Sequence, residues 1–356
     1  VRGWVEQYRG GFRGRVLEDS GTKRSSIVYE KKKEAQAWLE GELVDRRRGK
    51  KVDLYDDGAT YGDWADRWLI EKSPTWKPKT QASYESLMRS LVLPTFADSR
   101  MSKLTLREGR EWLAQLHDRG LSSSRIRQAV ITLRGPIRYA LEEEAIARDP
   151  FTVLEAPKQV TTREYRFLTL PQLVELRDVA GFYAPLIWTL GLTGMRFAEA
   201  AGLRVDRVNF LRRRITIDET LSEVGGHLHV VPPKSGKART ITVPSSVIEM
   251  MAGLEYHQDG YVFTSLQGGV LRYSNFYRNV WRPMTAEIGL DGLVVHDLRR
   301  TAGSLLIAEG AHPREVQEYL GHASIETTMK VYGHVFPDRN AELATRLDEA
   351  IAAVGA

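Results

Sequence analysis

The sequence predicts a multidomain, mainly α-helical chain. It begins with a small β-plus-helix N-terminal module over residues 1–50. A four-helix domain follows over 60–150, then a mixed α+β, mostly helical domain with a small sheet over 160–356. Three observations predict this. The 356 residues exceed what one ordinary hydrophobic core organises. From Thr60 to about Ala147 apolar residues recur at helical spacing almost without interruption. On either side of that block lie short strand-like runs punctuated by glycine.

In the N-terminal module, Trp4, Val5, Tyr8, Phe12, Arg13 and Val16 fall in short segments separated by Gly3, Gly10, Gly11 and Gly14. Gly21 marks a turn, and Ser26 to Tyr29 reads as a third strand. Ala35, Trp38, Leu39 and Leu43 then predict a helix from about Lys32 to Arg47. Lys50 to Ala59 is polar and reads as a linker.

Four apolar stripes follow: Tyr61, Trp64, Ala65, Trp68 and Leu69; Tyr84, Leu87, Met88 and Leu91, ended by Pro94; Trp112, Leu113 and Leu116; and Ile126, Val130, Leu133, Ile137 and Leu141, with a kink expected at Pro136. Lys77, Lys79, Arg125, Arg127, Arg134 and Arg138 are expected on one side of this domain, as a DNA-facing or merely solvated face.

Asp149 to Pro157 and Thr162 to Arg166 read as a second linker. Thr169 and Gln172, with Pro171 in the first turn, form a capping box that opens the third domain. Two helices lead to a glycine turn that delivers Arg196 at a helix start, with Glu199 one turn on to orient its guanidinium. Strands are expected at Arg214–Glu219, Leu228–Pro232 and Arg239–Val243. The last two flank a hairpin tip that carries Lys234 and Lys237. Helices resume at Ser245 and Tyr273. His296 and Arg299 then share the polar face of a helix whose Leu298, Ala302 and Leu305 point inward. His322 lies in a Leu-Gly-His turn, Tyr332 stands at a helix end, and an amphipathic helix over Arg339–Val354 closes the chain.

Composition narrows the chemistry. Zero cysteines exclude disulfides, thiol catalysis and cysteine-based zinc sites, and fit a reducing interior. No apolar run is long enough to cross a membrane. The start shows no signal-peptide pattern, and no Gly-Lys-Ser/Thr phosphate loop is present, which speaks against an NTPase. Charge is uneven: residues 1–51 hold 14 Lys/Arg against 8 Asp/Glu, whereas the whole chain carries only +5. That surplus favours a polyanionic partner for the N-terminus.

Arg196, Lys234, His296, Arg299, His322 and Tyr332 together suit one reaction, transfer of a DNA phosphodiester to a tyrosine. Two arginines can clamp the non-bridging oxygens as charge builds. A lysine can protonate the leaving 5′-oxygen, and a histidine can take the tyrosine proton. The phosphotyrosine ester keeps the bond energy, so rejoining needs neither ATP nor a metal.

Thr193, Gly194, Met195, Arg196 and Glu199, the His296/Arg299 pair, Leu320-Gly321-His322 and the tyrosine ten residues beyond that histidine resemble the tyrosine recombinases, or phage-type integrases. The likeness covers roughly residues 167–337 and is densest from Leu320 to Pro337. It implies that Arg196 and Arg299 bind the scissile phosphate, Lys234 is the general acid and His296 the base. It further implies that His322 donates to a phosphate oxygen and Tyr332 is the nucleophile, with no cofactor. The implied partners are double-stranded DNA at core and arm attachment sites, three further copies of the chain in a tetramer, a host DNA-bending protein and a recombination directionality factor. The implied setting is the cytoplasm of a bacterial host, on its nucleoid. The first fifty residues resemble an arm-binding module, and Arg339–Val354 is the candidate for packing on a neighbouring protomer.

Competing readings exist at several positions. Lys237 competes with Lys234 for the acid role. Tyr319 and Tyr277 read as packing residues, His227 and His229 as alternating strand residues rather than metal ligands, and His334 carries no chemical role. A dimer-resolving recombinase of the Xer kind would begin at the four-helix domain, so the N-terminal fifty residues argue against it. A catalytically silent DNA-binding relative would not need all six positions filled.

Overall fold

The computed structural model describes residues 2–8, 10–17, 23–26, 28–47, 58–158, 165–234, 236–256, 260–336 and 340–353. The expected turn at Gly21 lies outside them. The chain divides into two compact units, 1–160 and 161–356.

In the first unit, strands β1 (Arg2–Tyr8), β2 (Gly11–Leu17) and β3 (Lys23–Ser25) form an antiparallel sheet in that order. The third strand lies earlier than the expected Ser26–Tyr29. Tyr29 makes only an isolated bridge to Phe12, while Lys23 to Ser25 pair with Leu17 to Arg15. Helix α1 (Lys32–Arg47) packs on the sheet. Gly14 permits this, since a Cβ there would lie 2.5 Å from the Trp38 ring.

The helical part comprises α2 (Tyr61–Lys72), α3 (Pro78–Leu87), α4 (Leu93–Phe96), α5 (Leu106–Asp118) and α6 (Ser123–Glu142). Capping boxes at Thr60 and Thr105 satisfy the first backbone donors of α2 and α5. Pro94 does not end the second helix as expected. A π-helical turn over Met88–Val92 links α3 to α4, and Pro94 sits in the first turn of α4, where its missing N–H is harmless. Tyr61, Trp112, Leu133 and Ile137 are fully buried; Tyr61 donates to the Leu133 carbonyl (2.9 Å) and Trp112 to that of Leu91 (2.8 Å).

The expected basic face is smaller than the sequence suggests. Arg127 donates to the Pro157 carbonyl at 2.7 Å, and Arg134 to the carbonyls of Phe151 and Leu154. These two arginines are turned along the protein to tie down residues 151–157, because carbonyls there have no regular strand or helix partner. Lys77, Lys79 and Arg138 remain exposed.

In the second unit, α7 (Leu170–Val179) starts at the Thr169–Gln172 capping box and leads to the apolar α8 (Ala184–Thr193) and the short α9 (Phe197–Ala201). Strands β4 (Val208–Asn209), β5 (Arg214–Ile217) and β8 (Arg239–Thr242) form one antiparallel sheet. Strands β6 (Thr220–Val224) and β7 (His227–Val231) form a separate hairpin. Residues 232–234 and 236–238 therefore lie between two sheets and not at a hairpin tip. The reason is the tight Gly225–Gly226 turn, with φ of 56° and 82°, which pairs β7 with β6 and leaves β8 to β5.

Helices α10 (Ser245–Ala252), α11 (Tyr273–Phe276), α12 (Arg282–Glu287), α13 (Val295–Ala308), α14 (Pro313–Leu320), α15 (Ile325–Tyr332) and α16 (Asn340–Ala353) complete the unit. Its main core runs from Leu168 to Leu298; a smaller cluster joins Ala302, Ile307, Val316, Leu320 and Tyr332. Among the described residues no helix is long and apolar enough to cross a membrane.

Candidate active site

Helix α8 ends at Gly194, whose left-handed φ of 63° turns the chain sharply toward Arg196. A Cβ on Gly194 would also lie 2.2 Å from the Leu320 side chain, so only glycine fits this corner. Arg196 occupies the cap position of α9. Its backbone N–H donates to Glu199 Oε2 at 2.9 Å, and its Nη1 donates to Oε1 at 2.7 Å. The guanidinium itself stays partly open, at 27% exposure.

Glu199 is buried, and it holds a second arginine. Arg239 on β8 donates from Nη1 to Oε1 (3.1 Å) and from Nη2 to Oε2 (2.8 Å), a two-pronged pair. Burial alone would raise the Glu199 carboxyl. The hydrogen bonds and charge of Arg239, with the backbone and charge of Arg196, outweigh it and hold the group at about 2. Sequence reasoning missed Arg239 in this role. One signal was available: Arg239 alternates with Ile241 and so lies on the inward face of its strand, an unusual place for a lone cation.

Arg299 does not lie on the polar face of α13 as expected. It is only 3% exposed and runs inward, because α13 packs closely on α8; its Nη1 donates to the Gly194 carbonyl at 2.7 Å. Its Nη2 is buried without an acceptor among the described residues. Burial and the charge of Arg196 lower the guanidinium to about 9, so it stays charged at neutral pH.

His296 stands at the start of the same helix with its ring accessible. Surrounding protein, then the charges of Arg299, Arg300 and Arg196, lower it to about 4. His322 follows the left-handed Gly321 that ends α14 and is half-buried. Burial and the charges of Arg299 and Arg196 likewise lower it to about 4. Its Nδ1 lies 2.9 Å from the Thr328 hydroxyl. If that hydroxyl donates to Nδ1, the neutral ring carries its proton on Nε2 and can donate outward.

Tyr332 is 1% exposed. Its ring stacks on His322 at 6.3 Å and leans on Phe167, and its hydroxyl donates to the Arg299 carbonyl at 3.2 Å. A Cβ on Gly303 would fall 2.6 Å from that hydroxyl, so the bare backbone of α13 makes the slot. Burial pushes the phenol up to about 12, against a smaller opposing effect of the Arg299 charge.

The charge of Arg299 thus reaches His296, His322 and Tyr332, and that of Arg196 reaches His296, His322 and Arg299. Lys234 is exposed in the connection between the sheets, and no hydrogen bond or ion pair joins it to these five among the described residues. Lys237 is exposed as well. Tyr319 donates to the Leu192 carbonyl and Tyr277 stacks on Tyr273, both packing roles.

Comparison with known proteins gives the family and the fold. Residues 183–339 match the phage integrase family, and residues 60–117 match the phage integrase N-terminal SAM-like domain. A tyrosine recombinase XerC-like protein of Caldanaerobacter subterraneus is 25% identical, covering 92% of each chain. A putative prophage phiRv2 integrase of Mycobacterium tuberculosis is 26% identical, over 97% of this chain and 92% of that one. Among solved structures, a Tn1549 transposon integrase in complex with a circular intermediate DNA superposes with a TM-score of 0.68 at 18% identity, over 82% of this chain and 99% of that one. A lambda integrase dimer bound to a core site gives 0.60 at 17% identity, over 94% and 95%. Fold and matched domains define a DNA strand-exchange enzyme. The chain belongs to the tyrosine recombinases of the phage integrase family.

Proposed function

We propose that this recombinase of integrase type cuts and rejoins DNA at Tyr332, with Arg196 and Arg299 clamping the scissile phosphate. The observation that carries the assignment is the buried Nη2 of Arg299, a charged donor without an acceptor. A buried guanidinium nitrogen left without a protein acceptor is open to a ligand, and a phosphate oxygen matches its geometry.

In the proposed reaction the Tyr332 oxygen attacks phosphorus, a 3′-phosphotyrosine bond forms and the bond to the 5′-oxygen breaks. His296, neutral at pH 7, takes the phenolic proton, and Lys234 supplies the proton for the leaving 5′-hydroxyl. His322 donates to a non-bridging oxygen. In the resting enzyme the phenol is bonded to the Arg299 carbonyl and held near 12, so attack requires Tyr332 to leave its slot beside Gly303. Lys234 must likewise approach as DNA fills the pocket.

The helical domain would bind the core site and residues 1–50 the arm sites. A lambda integrase tetramer has been solved on a Holliday junction. By analogy four copies of this chain would exchange strands pairwise, with a host bending protein and a directionality factor. Helix α16 leaves Leu347 and Ile351 exposed, an apolar stripe suited to a neighbouring protomer.

The test is a nicked core-site duplex incubated with the protein and run on a denaturing gel. Wild type should give a covalent adduct, and Tyr332→Phe should abolish it with DNA affinity nearly intact. An adduct that survives the substitution would overturn the assignment.

A further inference from the structure

We infer that Arg239 is a positioning residue for strand cleavage: it occupies both oxygens of Glu199 and so keeps Arg196 turned toward the phosphate. The inference rests on the reaction proposed above and adds a residue to it.

Three observations carry it. Arg239 makes the two-pronged contact with Glu199, whereas the guanidinium of Arg196 reaches the same carboxylate through Nη1 alone, its backbone N–H making the other contact. The Arg239 side chain is 11% exposed, while that of Arg196 remains 27% exposed. Arg239 also lies flat beneath the turn that presents His322: a Cβ on Gly321 would meet its Cδ at 2.8 Å and its Nε at 2.9 Å. One guanidinium therefore joins the Arg196–Glu199 corner to the Leu320-Gly321-His322 turn, segments far apart in sequence.

The physical reason is competition for a carboxylate. A buried carboxylate facing a single arginine draws it into the two-pronged fork, which uses up one edge of the guanidinium. With Arg239 filling both oxygens, Arg196 spends one nitrogen on orientation and keeps its other donors free. Without Arg239, Arg196 would rotate onto Glu199 and withdraw from the phosphate, and the support under His322 would be lost at the same time.

Arg239→Met strips a buried carboxylate of its main partner and threatens the fold. Arg239→Lys is therefore the deciding variant: it keeps the charge, but a compact ammonium cannot fill both oxygens. Single-turnover cleavage of the nicked core duplex and DNA affinity would be measured in parallel for wild type, Arg239→Lys, Arg196→Lys and the double variant. We expect Arg239→Lys to cleave roughly 10- to 100-fold more slowly, in the range of a weakened transition-state contact, with DNA affinity essentially unchanged. The double variant should be little slower than Arg196→Lys alone, because the two residues act through one contact. An unchanged cleavage rate in Arg239→Lys, a loss of affinity that matches the loss of rate, or fully multiplicative effects in the double variant would each overturn the inference. A wild-type protein that forms no adduct would instead sink the underlying reaction, so the two failures are distinguishable.

Discussion

Burial is the first cause that lowers both His296 and His322, and a shared positive field adds to it, that of Arg299 and Arg196, with Arg300 at His296 and Arg239 at His322; only Asp297 opposes it, at His296. Both rings fall from the usual 6.5 to about 4 in the folded protein. Between those values the unfolded chain binds more protons than the folded one, so this contribution to stability is complete above about pH 6.5 and is lost as pH falls toward 4. Glu199 acts in the same direction only at lower pH, between the usual 4.5 and about 2. We predict a Tm that is flat from neutral to mildly alkaline pH and declines below about 6.5. Combining His296→Gln with His322→Asn should flatten that decline; an equally steep fall in the double variant would show that other groups cause it. A neutral His296 is also what the proposed proton acceptor requires, so the burial and field that lower acid stability would suit it to that role.

At the scale of elements, two arginines of α6 turn back onto the protein and away from the expected basic face. Arg134 satisfies carbonyls of residues 151–154, and Arg127 does the same for Pro157. Arg134→Met should destabilise the helical domain by about 1–3 kcal/mol, the cost of leaving the buried Leu154 carbonyl without a donor. Hydrogen exchange across residues 151–157 would report the loss, with core-site affinity unchanged. A drop in affinity without loss of protection would place Arg134 on the DNA instead. The sequence could not separate these roles, because helical periodicity says which side a residue leaves the helix from, but not what a long side chain folds back upon. Proline carried a similar ambiguity. Pro94 reads as a stop in sequence, yet a π-turn before it lets the helix run on, and Pro136 lies inside the continuous α6.

At the scale of the whole molecule, the basic excess of the first fifty residues and the candidate site residues lie in separate compact units. If the N-terminal module reads arm sites, deletion of residues 1–50 should spare adduct formation on a core duplex while ending recombination on a long attachment site. Unimpaired integration by the truncated protein would remove the arm-binding assignment and revive the Xer-type reading. The truncation should also reduce the steepness with which DNA affinity falls with salt, since fewer phosphate charges are neutralised.

The motif residues, their order and the helices that carry them were legible in the sequence by itself. The Arg196–Glu199 pair, the His296–Arg299 turn and the Tyr332 helix end are local patterns, set by spacing along one segment. Only the tertiary structure decided that Arg299 is buried against Gly194 and that Arg239 joins Glu199 from another strand. The same is true of the exposed Lys234 in a connection between two sheets and of Tyr332 in its slot beside Gly303. The physical reason is that a segment's own periodicity fixes which face turns inward. What that face meets depends on packing between segments far apart in sequence, such as α8 against α13.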